Sequence, residues 1–179
     1  GWQGGAPVDV VTQRLVAQDA PVTLQALGEL RAARQVVLSV EAAGRVSEIA
    51  FEPGEQAERG QLLASLDDAV EQADLITARS RQTFAKEQLE RARTLAESGA
   101  MSRELLQQRQ AEYDDSRSRV ALLQAQIAQK HVRAPFAGQL GIRHIDLGQY
   151  LNPGDRAVSL TDLSELQVNF EGPQQELAR

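Results

Sequence analysis

The feature that most constrains this chain is a repeat broken in the middle. Residues 40–68 can be laid on residues 134–162 without a gap, an offset of 94 positions (43 to 137). Identical pairs are Ala43/Ala137, Gly44/Gly138, Gly54/Gly148, Gly60/Gly154, Ser65/Ser159, Leu66/Leu160 and Asp68/Asp162, while Val46 falls on Leu140 and Phe51 on Ile145. Three glycines holding one spacing in both copies imply two versions of one structural unit.

Each copy reads as short strands separated by turns. In the first, Gly44 precedes the alternating stretch Arg45-Val46-Ser47-Glu48-Ile49-Ala50-Phe51, and Pro53-Gly54 fits a tight turn. Proline presets φ at the first corner and glycine accepts a positive φ at the next. Gly60 marks a further turn before Leu62-Leu63-Ala64-Ser65-Leu66, and the second copy repeats this with Gly138, Gly148 and Pro153-Gly154 before Val158-Ser159-Leu160. Gly44, Gly54, Gly60, Gly138, Gly148 and Gly154 are therefore expected to be structural turn residues.

Between the copies the sequence changes character. From Ala69 to about Lys130 there is no proline and one glycine, Gly99, in a composition of Ala, Leu, Gln, Glu and Arg, all good helix formers. Leu75, Ala78, Gln82, Ala85, Leu89, Ala92 and Ala96 follow 3-4 spacing, as do Leu106, Arg109, Tyr113, Ser116, Val120, Leu123 and Ile127. These are coiled-coil seams with small and polar residues at several inward positions. Lys86/Glu90 and Glu87/Arg91 are spaced for i,i+4 pairs. Gly99 suits the position just past a helix end, Ser102 can cap the next helix, and Asp67 or Asp68 can open the first. The segment predicts an antiparallel hairpin with its tip near 99–101 and arms of about 45 Å, at about 1.5 Å per residue. Such a hairpin leaves and re-enters at neighbouring points, so it can replace a β-turn without parting the strands it joins.

Composition narrows the function classes. Of 179 residues, 42% are hydrophobic but only 4% aromatic, so a core must be built from Val, Leu, Ile and Ala. A net charge of -6 argues against a nucleic-acid partner, which needs clustered Lys and Arg. The absence of cysteine removes disulfides, thiolate metal sites and Cys nucleophiles. No run approaches the roughly 18 apolar residues of a membrane span. The histidines are His131, expected beside carbonyls at the hairpin exit, and His144; neither has ligand spacing to a second His or Glu. Asp67/Asp68 and Asp114/Asp115 read as solvated or capping pairs, and no strand-to-helix GxGxxG is present. The chain is expected to be no enzyme, with no catalytic, cofactor or metal site.

Two glycine-punctuated β copies flanking a helical hairpin resemble the periplasmic adaptor, or membrane fusion protein, family (HlyD-like). Val132-Arg133-Ala134-Pro135-Phe136-Ala137-Gly138 looks like that family's entry into the second half of its lipoyl-like domain, and the run Gly148 to Gly154 like the turn that follows. Leu166-Gln167-Val168-Asn169-Phe170-Glu171-Gly172-Pro173 is similar to the strand entering the family's β-barrel. The resemblance implies an α+β fold: a split lipoyl-like (barrel-sandwich hybrid) β-domain interrupted by a coiled-coil hairpin, with partial β-barrel strands at both ends. On that basis 1–35 supplies N-terminal strands of membrane-proximal and barrel domains, including Val8-Asp9-Val10-Val11 and Val22-Thr23-Leu24-Gln25-Ala26-Leu27. Residues 36–68 and 132–162 form the two lipoyl halves, 69–131 the hairpin, and 163–179 a truncated start of the barrel.

At the hairpin tip, Arg91, Leu95 and Ser102 match the Arg-x3-Leu-x6-Ser spacing of adaptors that serve resistance-nodulation-division pumps. The resemblance assigns them to docking on a TolC-type outer-membrane channel. Read from the residues alone, Arg91 is a partner of Glu87, Leu95 a seam residue and Ser102 an N-cap. The implied partners are an inner-membrane transporter, the outer-membrane channel and further copies of the chain, as a hexamer or trimer of dimers. The implied location is the periplasm, attached to the inner membrane by an N-terminal lipid or helix not present in this chain. Two alternatives stand beside this. An ABC-type or other exporter could be the pump, although the single methionine, Met101, gives little for a metal-efflux role. A lipoyl or biotinyl carrier would present a lysine where this chain has Asp67-Asp68-Ala69, and its only lysines are Lys86 and Lys130.

Overall fold

The structure is a computed structural model that describes residues 34–164. The first copy supplies β1 (Gln35–Ser39), β2 (Gly44–Ile49), β3 (Gln56–Ala57) and β4 (Leu62–Leu66). Helices α1 (Ala69–Glu97) and α2 (Arg103–Gln129) follow, and the second copy supplies β5 (His131–Arg133), β6 (Gly138–Arg143), β7 (Tyr150–Leu151) and β8 (Arg156–Thr161). The segments expected as barrel strands at 8–11, 22–27 and 166–173 lie outside the described residues.

The strands form two four-stranded sheets, ordered β1-β8-β6-β3 and β5-β4-β2-β7. Exchanging the copies (β1 for β5, β2 for β6, β3 for β7, β4 for β8) turns one sheet into the other. Neither copy makes a sheet alone, because each sheet takes two strands from each. The hydrogen bonds obey the same exchange. Gly54 N–H donates to the Leu140 carbonyl at 2.8 Å and Gly148 N–H to that of Val46 at 2.8 Å. Gly60 N–H donates to Ala134 at 2.7 Å, and Gly154 N–H to Val40 at 2.8 Å. Gly54 and Gly148 have φ of 86° and 85°, in the left-handed region where a β-carbon is costly.

Two of the six expected turn glycines play a different part. Gly44 and Gly138 open strands β2 and β6 and are buried, with no positive φ. They serve close approach. A β-carbon on Gly138 would sit 2.3 Å from the backbone oxygen of Thr161, and one on Gly44 3.2 Å from Cβ of Leu66. The shared sequence position was legible, but a glycine kept for space looks the same in sequence as one kept for φ.

The β core is a single apolar cluster drawn from both copies, including Val46, Phe51, Leu63 and Leu66 with Leu140, Ile145, Leu151 and Leu160. Equivalent positions trade volume: Ala57 faces the core where its counterpart is Leu151, and Leu63 where its counterpart is Ala157. A close-packed interior rewards such compensation, since neither voids nor overpacking are cheap. At the end of β8, Asp162 accepts from Arg34 at 2.9 Å and from Ser164 N–H at 3.0 Å. The Ser164 backbone bond first, then its hydroxyl and Arg34, hold the Asp162 carboxyl below its usual range.

The helices pack along the expected seam. Leu75, Ala78, Leu89 and Ala92 of α1 are buried, as are Ser116, Val120 and Leu123 of α2, with Gln82, Ala85, Arg109 and Tyr113 half-buried between them. Ser116 turns its hydroxyl back to the Tyr113 carbonyl at 2.6 Å, so its burial leaves no polar atom unpaired. The expected pairs Lys86/Glu90 and Glu87/Arg91 do not close. The salt bridges within a single helix among the described residues are instead Arg109–Glu112 and Arg117–Asp114, both i,i+3. Exposed pairs gain little against side-chain entropy, so spacing alone does not decide which ones form.

Candidate functional site at the hairpin tip and its root

The tip is a tightly closed turn. Ala100 N–H donates to the Leu95 carbonyl at 2.8 Å and Gly99 N–H to that of Ala96 at 3.1 Å, with Gly99 at φ 77°. This is a Schellman closure, which satisfies carbonyls left free at a helix end. Ser102 then caps α2, its hydroxyl accepting from Leu105 N–H at 3.2 Å. Just below, Arg93 of α1 donates to Gln110 of α2 at 3.0 Å, fastening the two helices together near their ends.

Against this frame the three tip residues have distinct settings. Arg91 is exposed and makes no salt bridge among the described residues, so it is not the partner of Glu87. Leu95 is not a seam residue either: the seam runs through Leu89, Ala92 and Ala96, and Leu95 is 38% exposed beside it. Arg91 and Leu95 stand four residues apart and share a helix face. Ser102 is exposed and already committed as an N-cap. The tip thus offers a cation, an apolar side chain and a hydroxyl on a rigid turn.

The root of the hairpin holds a polar cluster that sequence reasoning missed. Lys130 Nζ donates to the Ala43 carbonyl at 2.7 Å and lies 3.7 Å from Glu71 Oε1. His131 opens β5; its Nδ1 is 3.0 Å from Ser65 Oγ and its Nε2 3.3 Å from Asp68 Oδ2. His131 therefore bridges a strand and a helix start, and its ring is not turned to the α2 carbonyls as expected. Asp68 occupies the N-cap position without capping, because its carboxylate is used by His131 and Gln72, while Asp67 accepts from Ala69 N–H at 3.1 Å. Ser65, His131 and Asp68 are linked in a row, but the ring nitrogens are reversed relative to a hydrolytic triad, with serine on Nδ1 and carboxylate on Nε2, and Ser65 is buried. The cluster ties both helix roots to the β base. A signal was present: the chain's second lysine sits beside a histidine at the point where the insertion returns.

Comparison with known proteins decides the family. The model for the RND MFP (membrane fusion protein) barrel-sandwich hybrid domain matches residues 34–163. The chain belongs to this membrane fusion protein family. An uncharacterized protein of Haemophilus influenzae is 33% identical over 84% of the chain and 39% of its own length. Multidrug resistance protein MdtA of Proteus mirabilis is 27% identical over 97% of the chain and 46% of its own length. The chain thus spans less than half the length of these curated relatives. Among solved structures, a MacA-MexA chimera carrying the Pseudomonas aeruginosa MexA α-hairpin domain matches with TM-score 0.70 at 23% identity, over 73% of this chain and 48% of that one. A putative efflux transporter from Bacteroides eggerthii matches with TM-score 0.68 at 23% identity, over 74% and 41%. These likenesses establish the barrel-sandwich hybrid fold with its inserted hairpin.

Proposed function

We propose that this chain is part of a periplasmic adaptor of a tripartite efflux pump, bridging an inner-membrane resistance-nodulation-division transporter and a TolC-type outer-membrane channel. Family membership supports the adaptor role. The observation that carries the bridging role is the exposure of Leu95 beside, rather than within, the seam, on a turn held rigid by two kinds of cap. An apolar side chain exposed at such a place costs little to bury on a partner and needs no reordering of the turn.

Arg91, Leu95 and Ser102 would contact the channel. Residues 36–68 and 132–162 would act as one lipoyl-like base, 69–131 as the spike, and 1–35 and 163–179 as parts of neighbouring domains. Copies would assemble as a hexamer or trimer of dimers in the periplasm, anchored to the inner membrane through the N-terminal side. The carrier alternative loses ground, because Lys130 is tied to Ala43 and Glu71, and Lys86 lies in mid-helix.

The test is photo-crosslinking from Leu95 in the full-length protein, with Arg91→Glu and Leu95→Glu scored for channel capture and efflux. Loss of both with an unchanged helical spectrum supports docking; unchanged capture overturns it. Ser102→Asp separates capping from docking, since aspartate caps as well as serine.

A further inference from the structure

Halfway along the hairpin, beside the seam, an open groove is lined by Arg81 and Phe84 of α1 and by Glu112, Asp115, Arg119 and Leu122 of α2. Phe84 is 62% exposed and Leu122 47%, although large apolar side chains on a helix pair normally go to its seam. Glu112 is engaged by Arg109 at 3.1 Å, whereas Arg81, Asp115 and Arg119 make no salt bridge among the described residues.

The heights of these groups along the shaft determine what can fit. Helix α1 ends at Glu97 and α2 begins at Arg103, so residues whose numbers sum to about 200 stand level on the two arms. In an antiparallel pair this puts Arg81 level with Arg119, and Phe84 level with Asp115. One wall of the groove therefore carries Arg81 then Phe84 toward the tip, and the other carries Arg119 then Asp115.

We propose that this groove is a self-docking surface that pairs two copies of the chain as an antiparallel, two-fold dimer of hairpins. A two-fold axis across the shaft, just rootward of Phe84, sets each Arg119 against Asp115 of the second copy. It also sets each Arg81 over the Phe84 ring of the second copy, a cation–π contact. A two-fold axis along the shaft gives the parallel pairing, which sets Arg81 against Arg119 and Phe84 against Asp115. Like charges and an ion on an apolar ring then meet at the same sites, and complementarity of this kind fixes register and excludes wrong pairings. In the antiparallel pair the tips point opposite ways, so it is a resting form that must part before hairpins align on a channel. The groove argument does not rest on the docking reading, and either can fail alone.

The chain has no cysteine, so one spin label at Ala100→Cys reports tip-to-tip distance without disturbing the groove. The dimer predicts a separation of about 55 Å, from about 18 residues of helix on each side of the axis. Arg119→Glu should abolish that distance, and mixing it with Asp115→Arg should restore it. Phe84→Lys, which sets a like charge against Arg81 of the second copy, should abolish it too, and circular dichroism checks that the exposed site leaves the helices intact. A tip separation below about 25 Å, set by helices packed side by side, overturns the proposal in favour of parallel pairing. A signal with no intermolecular distance overturns self-docking altogether.

Discussion

In the β base, fifteen buried apolar residues form one continuous cluster to which both copies of the repeat contribute. In the hairpin, the cluster at the root end of the seam holds four, and the seam continues toward the tip through Gln82, Ala85, Arg109 and Ser116 to the buried pair Leu89 and Ala92. The base is closed on itself by a symmetry that uses every strand. The hairpin is a thin zipper with large side chains left outside it at Phe84, Leu95 and Leu122. The difference lies in what each part encloses: the base surrounds a continuous apolar core and the hairpin encloses little, while both leave large apolar side chains exposed, Ile142, Leu147 and Tyr150 in the base among them.

The comparison can be broken most forcefully in the base. Leu140→Ala or Leu160→Ala, at positions 1% and 0% exposed, should cost about 3 kcal/mol and lower the urea midpoint of the whole domain. If such a change loosened only one copy, the interleaving of the sheets would be wrong. A smaller effect sharpens the symmetry itself. Gly138→Ala meets backbone at Thr161 and should destabilise by about 2 kcal/mol, within the range for overpacking. Gly44→Ala meets Leu66 Cβ and the flexible end of Lys130, which can shift, so thermal melts should show less than half that loss.

In the hairpin the effects should be local and smaller. Gly99→Ala places a β-carbon at φ 77° and should cost about 1 kcal/mol. Hydrogen exchange should speed up at the tip amides of Gly99 and Ala100 while β4 and β8 stay protected. Smallest of all, Ser116→Ala replaces a buried hydroxyl by a better helix former. It should slow exchange in mid-shaft by an amount equivalent to no more than about 0.5 kcal/mol. A loss of several times that size would mean that the Ser116 hydroxyl, bonded back to Tyr113, holds the seam in register.

Much of this contrast was legible in the sequence, because periodicity and glycine spacing report local geometry. The seam positions of both helices, the Gly99 closure and the Ser102 cap were all read from residues that act within one turn of themselves. The interleaving was not, since strand order depends on which edges meet, and nothing in a gapless repeat distinguishes stacked copies from exchanged ones. The roles of Gly44 and Gly138 were missed for the same reason: the atoms that crowd them, at Leu66 and Thr161, come from elsewhere in the chain. The root cluster joins Ser65, Asp68 and His131 across the whole insertion, a proximity that sequence separation conceals. At the tip, sequence resemblance picked out Arg91, Leu95 and Ser102, and the structure adds that Leu95 stands clear of the seam.

The central claim is that the hairpin is an insertion into a base that the two repeats complete by themselves. The direct test is to replace 70–128 by a short glycine linker and record backbone amide spectra and a urea melt. The account predicts one cooperative transition and unchanged cross-copy hydrogen bonds, with the amides of Gly54, Gly60, Gly148 and Gly154 still protected. A shortened chain that is unfolded, or in which those four amides exchange freely, would contradict it.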